Sequence, residues 1–328
     1  MMRDRDSRIP RRDAMHLMMS GGLGLARTAP EIPILPGTLN SIPTAPEVLC
    51  RPALPSDRES VMDFLPLIWE GEDYVPEVWD AWLAEERGFL AAALLEGRVV
   101  GLSHLVDLGH GEWWLEGLRV DPRLHGRHIG SHLHDYQVEN WLRTEGSVVR
   151  LATHQSRTAV HRMCERTGFL RVASVVPLGF RAHSGEHRFR PAGLEDVESA
   201  LSQLLASPVQ RALGGWMDLG WRYAGVDPDR IAAAARSGGL WTWGQDQGIL
   251  VTREETGPDG PSLTISAMAR SADGAASFLA DIPKLAASMG CAGGLWMAPE
   301  SEASVDGLAQ GGFEPESEEP LWLFERRR

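Results

Sequence analysis

Two glycines and three basic side chains lie together between a predicted strand and a predicted helix: Gly126, Gly130, His125, Arg127 and His128. Before them, residues 113–120 alternate apolar with other residues and stop at Asp121, which predicts a strand. After them, apolar residues at helical spacing predict a helix that starts near Ile129. Such a loop brings backbone N–H groups and the positive end of a helix dipole to one point, which suits the binding of phosphate.

The glycine patterns of dinucleotide-binding and P-loop proteins, GxGxxG and GxxxxGK[ST], do not fit this loop. It resembles the acetyl-CoA loop of the GNAT superfamily of N-acetyltransferases, where a strand ending L-x-V-x-P runs into Q/R-x-x-G-x-G/A and a helix. The strand pattern is matched by Leu118, Val120 and Pro122. His125 replaces the usual Arg or Gln, and His128 replaces the middle glycine. The His128 side chain would either crowd the pyrophosphate or donate a hydrogen bond to it.

The resemblance implies acetyl-CoA as cosubstrate. The implied cofactor-binding residues are the strand end, the loop and the first helical turn: Leu118, Arg119, Val120, His125, Gly126, Arg127, His128, Ile129, Gly130 and Ser131. His128 and His132 are spaced i, i+4 and could share a metal, but no convincing third ligand follows from the same segment. We therefore expect no metal, and we interpret the imidazoles as cleft polarity and phosphate contacts.

Acetyl transfer to an amine needs a group that accepts the amine proton and donors that stabilise the carbonyl oxygen. Glu116, on the central strand, is the candidate base, directly or through one water; a structural pair with an arginine is the alternative. Backbone N–H of Leu118 or its neighbours would polarise the acetyl carbonyl. We expect direct attack in a ternary complex.

The group that protonates the leaving thiolate is not assigned by the sequence. In the family a tyrosine on the helix before Gly168-Phe169 often does so, and Cys164 occupies that position here. The role of Cys164 is therefore left open: it could be an acid, a covalent acetyl carrier or a structural residue. Tyr136 is a second candidate acid.

Residues 71–76 read GEDYVP and are followed by tryptophans at 79 and 82. In GNAT proteins this segment forms the acceptor side of the cleft. With the EGLRV of residues 116–120, it resembles the branch that contains histidine N-acetyltransferase. That resemblance implies a small amine or amino acid acceptor bound by Tyr74 and Trp79, although core packing would also explain Trp79. Acetylation of a protein N-terminus or lysine, and CoA binding without catalysis, are the alternative functions.

The predicted fold is α/β (α+β), with two tandem GNAT-like domains that each have a mixed, mostly antiparallel sheet flanked by helices. We expect a catalytic domain at 47–186 and a degenerate second domain at 187–328. Two motifs repeat: Arg51-Pro52-Ala53 recurs 139 residues later as Arg190-Pro191-Ala192, and Gly168-Phe169 recurs as Gly312-Phe313. The second copy lacks the loop pattern, so it is expected to be structural or to shape the acceptor cleft.

Length and charge limit the number of domains and the functional classes that the sequence allows. The 328 residues suit two domains, and the net charge of −13 divides into +2, −7 and −8 for residues 1–46, 47–186 and 187–328. Neither acidic half is typical of a nucleic-acid binder, and no apolar run is long enough to cross a membrane. Three separated cysteines indicate a reducing, cytoplasmic location. Residues 1–46 are expected to be a flexible extension, with a twin-arginine export signal as the alternative, and a homodimer is compatible with the sequence.

Overall fold

The computed structural model of the chain describes residues 47–245, 247–257, 260–302, 308, 311–317 and 319–328. These residues form two compact units. The smaller unit contains residues 47–107 and 115–146, and the larger unit contains 108–114 and the described part of 147–328. The predicted extension at 1–46 lies outside the described residues. Within the described part, no helix has both the length and the apolar character needed to cross a bilayer.

The smaller unit is a sheet in the order β1-β2-β3-β4 with three α-helices. Its strands are β1 (Leu49–Pro52), β2 (Gly88–Leu95), β3 (Arg98–Gly109) and β4 (Glu112–Val120). Its helices are α1 (Arg58–Phe64), α2 (Val75–Ala84) and α3 (Ile129–Arg143). β3 and β4 each also supply residues to the larger unit, because the unit boundaries fall at residues 107 and 115.

Successive side chains of a strand point to opposite faces of the sheet, so every second residue of β2 faces the same layer. Ala91, Ala93 and Leu95 of β2 lie in one buried cluster with Ile129 and Leu133 of α3. α3 is further tied to the sheet by the buried Gln137, whose Nε2 donates to the carbonyls of Phe89 (2.7 Å) and Ser103 (2.8 Å). The predicted start of this helix at Ile129 and the predicted hairpin of β2 and β3 are confirmed.

The larger unit contains eleven further strands and five α-helices among the described residues. The strands are β5 (Val148–His154), β6 (Leu170–Arg181), β7 (Phe189–Pro191), β8 (Trp216–Asp218), β9 (Tyr223–Gly225), β10 (Leu240–Trp243), β11 (Gly248–Gly257), β12 (Gly260–Arg270), β13 (Gly293–Pro299), β14 (Phe313–Pro315) and β15 (Leu321–Arg327). The helices are α4 (Thr158–Arg166), α5 (Val197–Ala206), α6 (Pro208–Ala212), α7 (Pro228–Arg236) and α8 (Ala275–Ser288). β8 and β9 form a separate hairpin, and β5-β15-β6-β13-β12-β11-β10-β7 form one sheet.

The order of elements repeats along the chain. β1, helices, the meander β2-β3-β4, α3 and β5 are followed later by β7, helices, the meander β10-β11-β12, α8 and β13. In both copies the strand after the long helix pairs in parallel with the last strand of the meander: residues 112–114 with 148–150, and 263–265 with 294–296. The predicted class, α/β with a mostly antiparallel mixed sheet flanked by helices, is confirmed.

The last strand of the chain, β15, pairs with strands that come from the first copy of the repeat. β15 pairs antiparallel with both β5 and β6, while β6 pairs with β13. The pairing of β15 therefore joins residues 148–181 to the end of the chain, and the two compact units do not follow the division at residue 186. The division into a domain at 47–186 and a second domain at 187–328 therefore stays a prediction, which describes the two copies of the repeat along the sequence.

Candidate active site

The loop after β4 has the backbone shape that an anion site needs. A single 3-10 turn, Pro122–Leu124, follows β4, and α3 begins at Ile129. Gly126 has a φ of +82° and His128 a φ of +58°, so both adopt the left-handed conformation. The first hydrogen bond of α3 runs from the His132 amide to the His128 carbonyl (3.1 Å), so the amides of residues 129–131 precede the helical ladder.

These features fit the phosphates of acetyl-CoA. No side chain caps α3, which leaves its N-terminal amides and the dipole for an anion. A Cβ added to Gly126 would meet nothing within 4 Å, and one added to Gly130 would come within 3.7 Å of Val120 Cγ2. The loop side chains of His125, Arg127 and His128 are exposed.

The other predicted cofactor residues take different positions. The side chains of Leu118 and Val120 pack against the buried cluster that includes Ile129, so only their backbones could face a ligand. Gly130 and Ser131 lie in the first turn of α3 and are partly exposed. Arg119 is buried, and its side chain contacts Asp73 and the Trp69 ring.

Replacing His128 with glycine is expected to leave acetyl-CoA affinity within about threefold of the native value. The left-handed backbone costs a side-chain residue roughly 1–2 kcal/mol, and glycine adopts it freely, so we also expect a gain of about 0.5–1 kcal/mol in unfolding free energy. Calorimetry with acetyl-CoA and chemical denaturation measure the two effects. A tenfold loss of affinity would show instead that the imidazole itself contacts the cofactor.

Glu116, the predicted base, is held by a histidine that sequence reasoning missed. His104 on β3 is fully buried, and its Nδ1 lies 2.9 Å from Glu116 Oε1. Because an ionised carboxylate only accepts hydrogen bonds, Nδ1–H of His104 is the donor. His104 Nε2 is buried and has no hydrogen-bond partner among the described residues. The pairing fixes the orientation of the carboxylate.

The hairpin of β3 and β4 contains the signal that could have found His104. His104 and Glu116 each lie six positions from His110, since 110 − 104 and 116 − 110 are both 6. Residues at equal distances from the centre of a hairpin face each other across the two strands. The pairing of His104 with Glu116 could therefore have been predicted from the sequence.

Gly117 allows a tryptophan to pack directly beside Glu116. Its φ is +65°, and a Cβ at this position would lie 2.5 Å from Cη2 of Trp82. The Trp82 ring stacks on His104 at a centroid distance of 4.7 Å, and Tyr74 meets the same ring edge-on at 5.8 Å. Only glycine is compatible with this backbone and this contact. The Trp82 ring therefore lies beside Gly117 and His104, the chain neighbour and the hydrogen-bond partner of Glu116.

Arg119 and Asp73 form a buried ion pair in the smaller unit. Arg119 Nε lies 2.5 Å from Asp73 Oδ2, and the other oxygen of Asp73 accepts from the Val75 amide (3.0 Å) at the start of α2. The guanidinium carbon lies 4.0 Å from the centroid of the Trp69 ring. Nη2 is buried and has no hydrogen-bond partner among the described residues.

Tyr74 and Trp79, the predicted acceptor-binding residues, differ in position. Tyr74 borders Trp82, and its ring lies 5.3 Å from the Arg119 guanidinium. Trp79 is fully buried on α2, as the core-packing interpretation expects. The structure therefore brings Tyr74, Arg119 and Glu116 into one set of neighbouring aromatic and charged groups.

Cys164 lies on α4 in the larger unit and is fully buried. Burial raises the pKa of its thiol to about 12. A group that holds its proton so strongly is a poor donor to a leaving thiolate, whose own pKa is near 8.5 for an ordinary thiol. The catalytic role of Cys164 stays a prediction, and its burial favours the structural alternative.

Replacing Cys164 with alanine is expected to leave kcat within about twofold and to cost about 1 kcal/mol of stability, because a buried sulfur is lost. Steady-state acetylation and thermal unfolding test this. A loss of activity of a hundredfold or more in a folded Cys164→Ala protein would restore the acid or acetyl-carrier role.

One group of side chains in the larger unit could hold a metal ion. Ligand atoms of His110, Asp227 and Asp229 lie within 4.8 Å of one another. Asp227 Oδ1 caps α7 by accepting from the amides of Asp229 and Arg230, and Asp227 Oδ2 lies 2.7 Å from Arg230 Nη1. Local contacts therefore account for Asp227. The expectation that no metal takes part stays a prediction.

Comparison with known proteins supports an acetyltransferase origin for the first half of the chain. Residues 58–169 match the model of the acetyltransferase (GNAT) family. The chain is 27% identical over 178 residues to a histidine N-acetyltransferase of Oreochromis niloticus. The aligned region covers 51% of this chain and 52% of that protein. It is 30% identical over 100 residues to a histidine N-acetyltransferase of Scomber australasicus, 28% and 30% of the two chains. The alignments thus span about half or less of these relatives.

Solved structures show the same fold over most of the chain. A GCN5-related N-acetyltransferase from Sphaerobacter thermophilus has a TM-score of 0.58 at 14% identity, covering 85% of this chain and 95% of its own. A tandem GNAT protein from the clavulanic acid biosynthesis pathway has a TM-score of 0.51 at 14% identity, covering 86% and 98%. These structures share the fold alone; the match to the family model, together with the strand, loop and helix described above, identifies the segment from residue 58 to residue 169 as a member of the acetyltransferase (GNAT) family.

Proposed function

We propose that the chain is an N-acetyltransferase that moves the acetyl group of acetyl-CoA to the primary amine of a small molecule or amino acid by direct attack. The observation that carries this proposal is the contact of His104 on β3 with Glu116 on β4, because β4 is the strand that runs into the loop before α3. A proton acceptor and a phosphate site on one strand are what amide formation from a CoA thioester requires.

Bound acetyl-CoA would supply the acetyl group as a thioester, with its phosphates at the amides of residues 126–131. Glu116 accepts the proton of the amine as its nitrogen bonds to the carbonyl carbon, directly or through one water. His104 is a positioning residue, because its Nδ1 donor holds Oε1 of Glu116 in place. Backbone N–H near Leu118 would stabilise the carbonyl oxygen as the bond to sulfur breaks. The protonation of the leaving thiolate is assigned to solvent.

An amino acid is the acceptor that the acidic and basic groups of this site favour. The buried Nη2 of Arg119 is a charged donor without an acceptor among the described residues, and a carboxylate is its usual partner. A zwitterion would place its carboxylate on Arg119 and its amine toward Glu116, with Tyr74 and Trp69 along its side chain. The names of the curated relatives favour histidine within this class.

The proposal is tested by the release of free CoA from acetyl-CoA in the presence of the full chain and a panel of amines. Histidine, histamine and imidazolepropionate separate the need for the amine from the need for the carboxylate. We expect N-acetylhistidine, identified by mass, and no product from imidazolepropionate. Binding of acetyl-CoA without CoA release from any amine would favour a CoA-binding regulatory protein, and release with peptides alone would favour a protein N-acetyltransferase.

The remaining expectations belong to the same proposal. A cytoplasmic location follows from the need for acetyl-CoA, and the three cysteines are consistent with a reducing compartment because all are free thiols. Neither nucleic acid nor membrane is a proposed partner. Sedimentation of the full chain decides between a monomer and a homodimer.

A further inference from the structure

Four charged side chains of the smaller unit meet at the turn that follows β4. They are Asp63 near the end of α1, Arg98 at the start of β3, and Asp121 and Arg123 on either side of Pro122. Asp121 is only 2% exposed, whereas the side chains of Arg123 and Asp63 are 48% and 51% exposed. A buried carboxylate needs charged or polar partners, so the contacts of Asp121 decide how this turn is held.

Asp121 fixes the backbone directly after β4. Its amide donates to the Val100 carbonyl on β3 (2.9 Å), and its carbonyl accepts from the Leu124 amide (2.9 Å). Its side chain caps the 3-10 turn, because Oδ1 accepts from the Arg123 amide (3.0 Å). The chain therefore leaves β4 in one defined direction.

The Arg123 guanidinium binds two carboxylates at once. Its Nε lies 2.8 Å from Asp121 Oδ1, and its Nη2 lies 2.8 Å from Asp121 Oδ2 and 2.8 Å from Asp63 Oδ2. Two parallel N–H donors on one carboxylate fix the geometry of a pair as well as its charge. Asp63 Oδ2 also accepts from Arg98 Nη2. Side chains of α1 and β3 are thus attached to the turn.

The charges of these four groups balance, with two carboxylates and two guanidinium groups. Burial alone would raise the pKa of Asp121, but the hydrogen bonds from Arg123 outweigh burial and lower this pKa. The hydrogen bond from Arg123 also lowers the pKa of Asp63. Both carboxylates therefore stay ionised at neutral pH, and the contacts among the four groups are charge-assisted.

The loop at residues 125–128, which joins this turn to α3, has little support of its own. The side chains of His125, Arg127 and His128 are exposed, and a Cβ at Gly126 would meet nothing within 4 Å. After the loop, α3 is held by Ile129, which lies in the buried cluster below the helix. The conformation of the loop therefore depends on two anchors, the start of α3 and the charged contacts of the turn.

The first anchor belongs to the helix, and the second can be altered without changing the loop or the helix. A loop that is already held in its binding conformation loses less conformational entropy when a ligand binds. Loosening the turn should therefore weaken the binding of phosphates at residues 126–131, even though no residue there is changed.

We propose that Arg123, held between Asp121 and Asp63, is a positioning residue for acetyl-CoA. It fixes the direction in which the chain enters the loop, so that the loop amides and the start of α3 are ready for the phosphates. This inference rests on the proposed function, because it concerns the same cosubstrate site.

The test measures acetyl-CoA affinity by calorimetry with the full chain and with two variants that break the contact from opposite sides. Arg123→Met and Asp63→Ala should each weaken acetyl-CoA binding about three- to tenfold, because the loosened loop must be ordered on binding. At saturating acetyl-CoA, kcat and the KM for histidine should stay within about twofold of the native values, because neither residue belongs to the groups proposed to bind the acceptor.

Asp63→Ala also separates positioning from simple electrostatics. Removing a negative charge would by itself strengthen the binding of an anion such as acetyl-CoA. Glu59→Ala is the matched control, since it makes the same change of charge one helical turn earlier on α1, at an exposed residue. We expect weaker binding by Asp63→Ala and native or slightly tighter binding by Glu59→Ala.

The double variant Asp63→Ala, Arg123→Met tests whether the two residues act through one contact. It should bind acetyl-CoA no more weakly than Arg123→Met alone, because residues in one network are not additive. Independent, additive losses would overturn the inference.

The remaining outcomes separate this inference from the proposed function. If the native chain binds acetyl-CoA and acetylates histidine while both single variants bind acetyl-CoA like the native chain, the inference fails and the function stands. Tighter binding by Asp63→Ala, or equal losses for acetyl-CoA and histidine, would likewise overturn the inference alone. A native chain that does not bind acetyl-CoA would overturn both. Asp63→Ala changes a half-exposed side chain and keeps the test decisive if Arg123→Met does not fold.

Discussion

Glu116→Gln is expected to lower kcat/KM for acetylation of histidine by a factor of roughly 10² to 10⁴, the range supplied by a positioned general base. Glutamine has nearly the same shape and can still accept from His104 Nδ1, 2.9 Å from the present oxygen. It cannot take a proton from the amine. The loss should therefore appear in kcat and not in the affinity for acetyl-CoA, which calorimetry measures separately.

Glu139→Gln is the matched control for this change. Glu139 is an exposed residue of α3, where it lies 3.7 Å from Arg143, and the pair contributes little at the surface. The control should keep full activity and stability. Native activity in a correctly folded Glu116→Gln protein would remove Glu116 from the mechanism and leave the position of His104 without a catalytic explanation.

Arg119→Met is expected to destabilise the protein more than the other single substitutions proposed, by about 3–5 kcal/mol, because it leaves the Asp73 carboxylate buried without its partner. The side chains of Arg119 and Asp73 are 9% and 1% exposed, so solvent cannot replace the lost contact. The double variant Asp73→Asn, Arg119→Met removes both charges and should recover most of this loss. Denaturant unfolding of the single and double variants measures the difference.

The double variant also separates stability from acceptor binding. If Arg119 Nη2 binds the acceptor carboxylate, the KM for histidine should rise roughly 10–100-fold, as expected for a charged hydrogen bond worth about 1.5–3 kcal/mol. Activity toward histamine, which has no carboxylate, should stay near its native value. Equal losses for the two amines would show that Arg119 supports the fold without contacting the acceptor.

Local patterns in the sequence were sufficient to predict β4, the loop that follows it and α3, as well as most other elements. Alternation and the Asp121-Pro122 stop predicted β4, and helical spacing predicted α3 from Ile129, because both depend on residues near one another in the chain. The repeat of Arg51-Pro52 and Gly168-Phe169 likewise predicted the recurring order of elements. Glu116 could be proposed as a base because it is a carboxylate two residues before Leu118, on the strand that runs into the loop.

Tertiary structure decided which side chains complete the site, although the symmetry of the hairpin about His110 indicates that His104 faces Glu116. His104 and Asp73 are separated in sequence from Glu116 and Arg119 by 12 and 46 residues, and their contacts depend on strand pairing and on the packing of α2. Arg119 lies at the end of the strand that enters the loop, yet its side chain is directed to the buried Asp73 and to the Trp69 and Tyr74 rings. The pairing of β15 with β5 and β6 likewise joins distant segments, and such contacts leave no periodic signal in either segment alone.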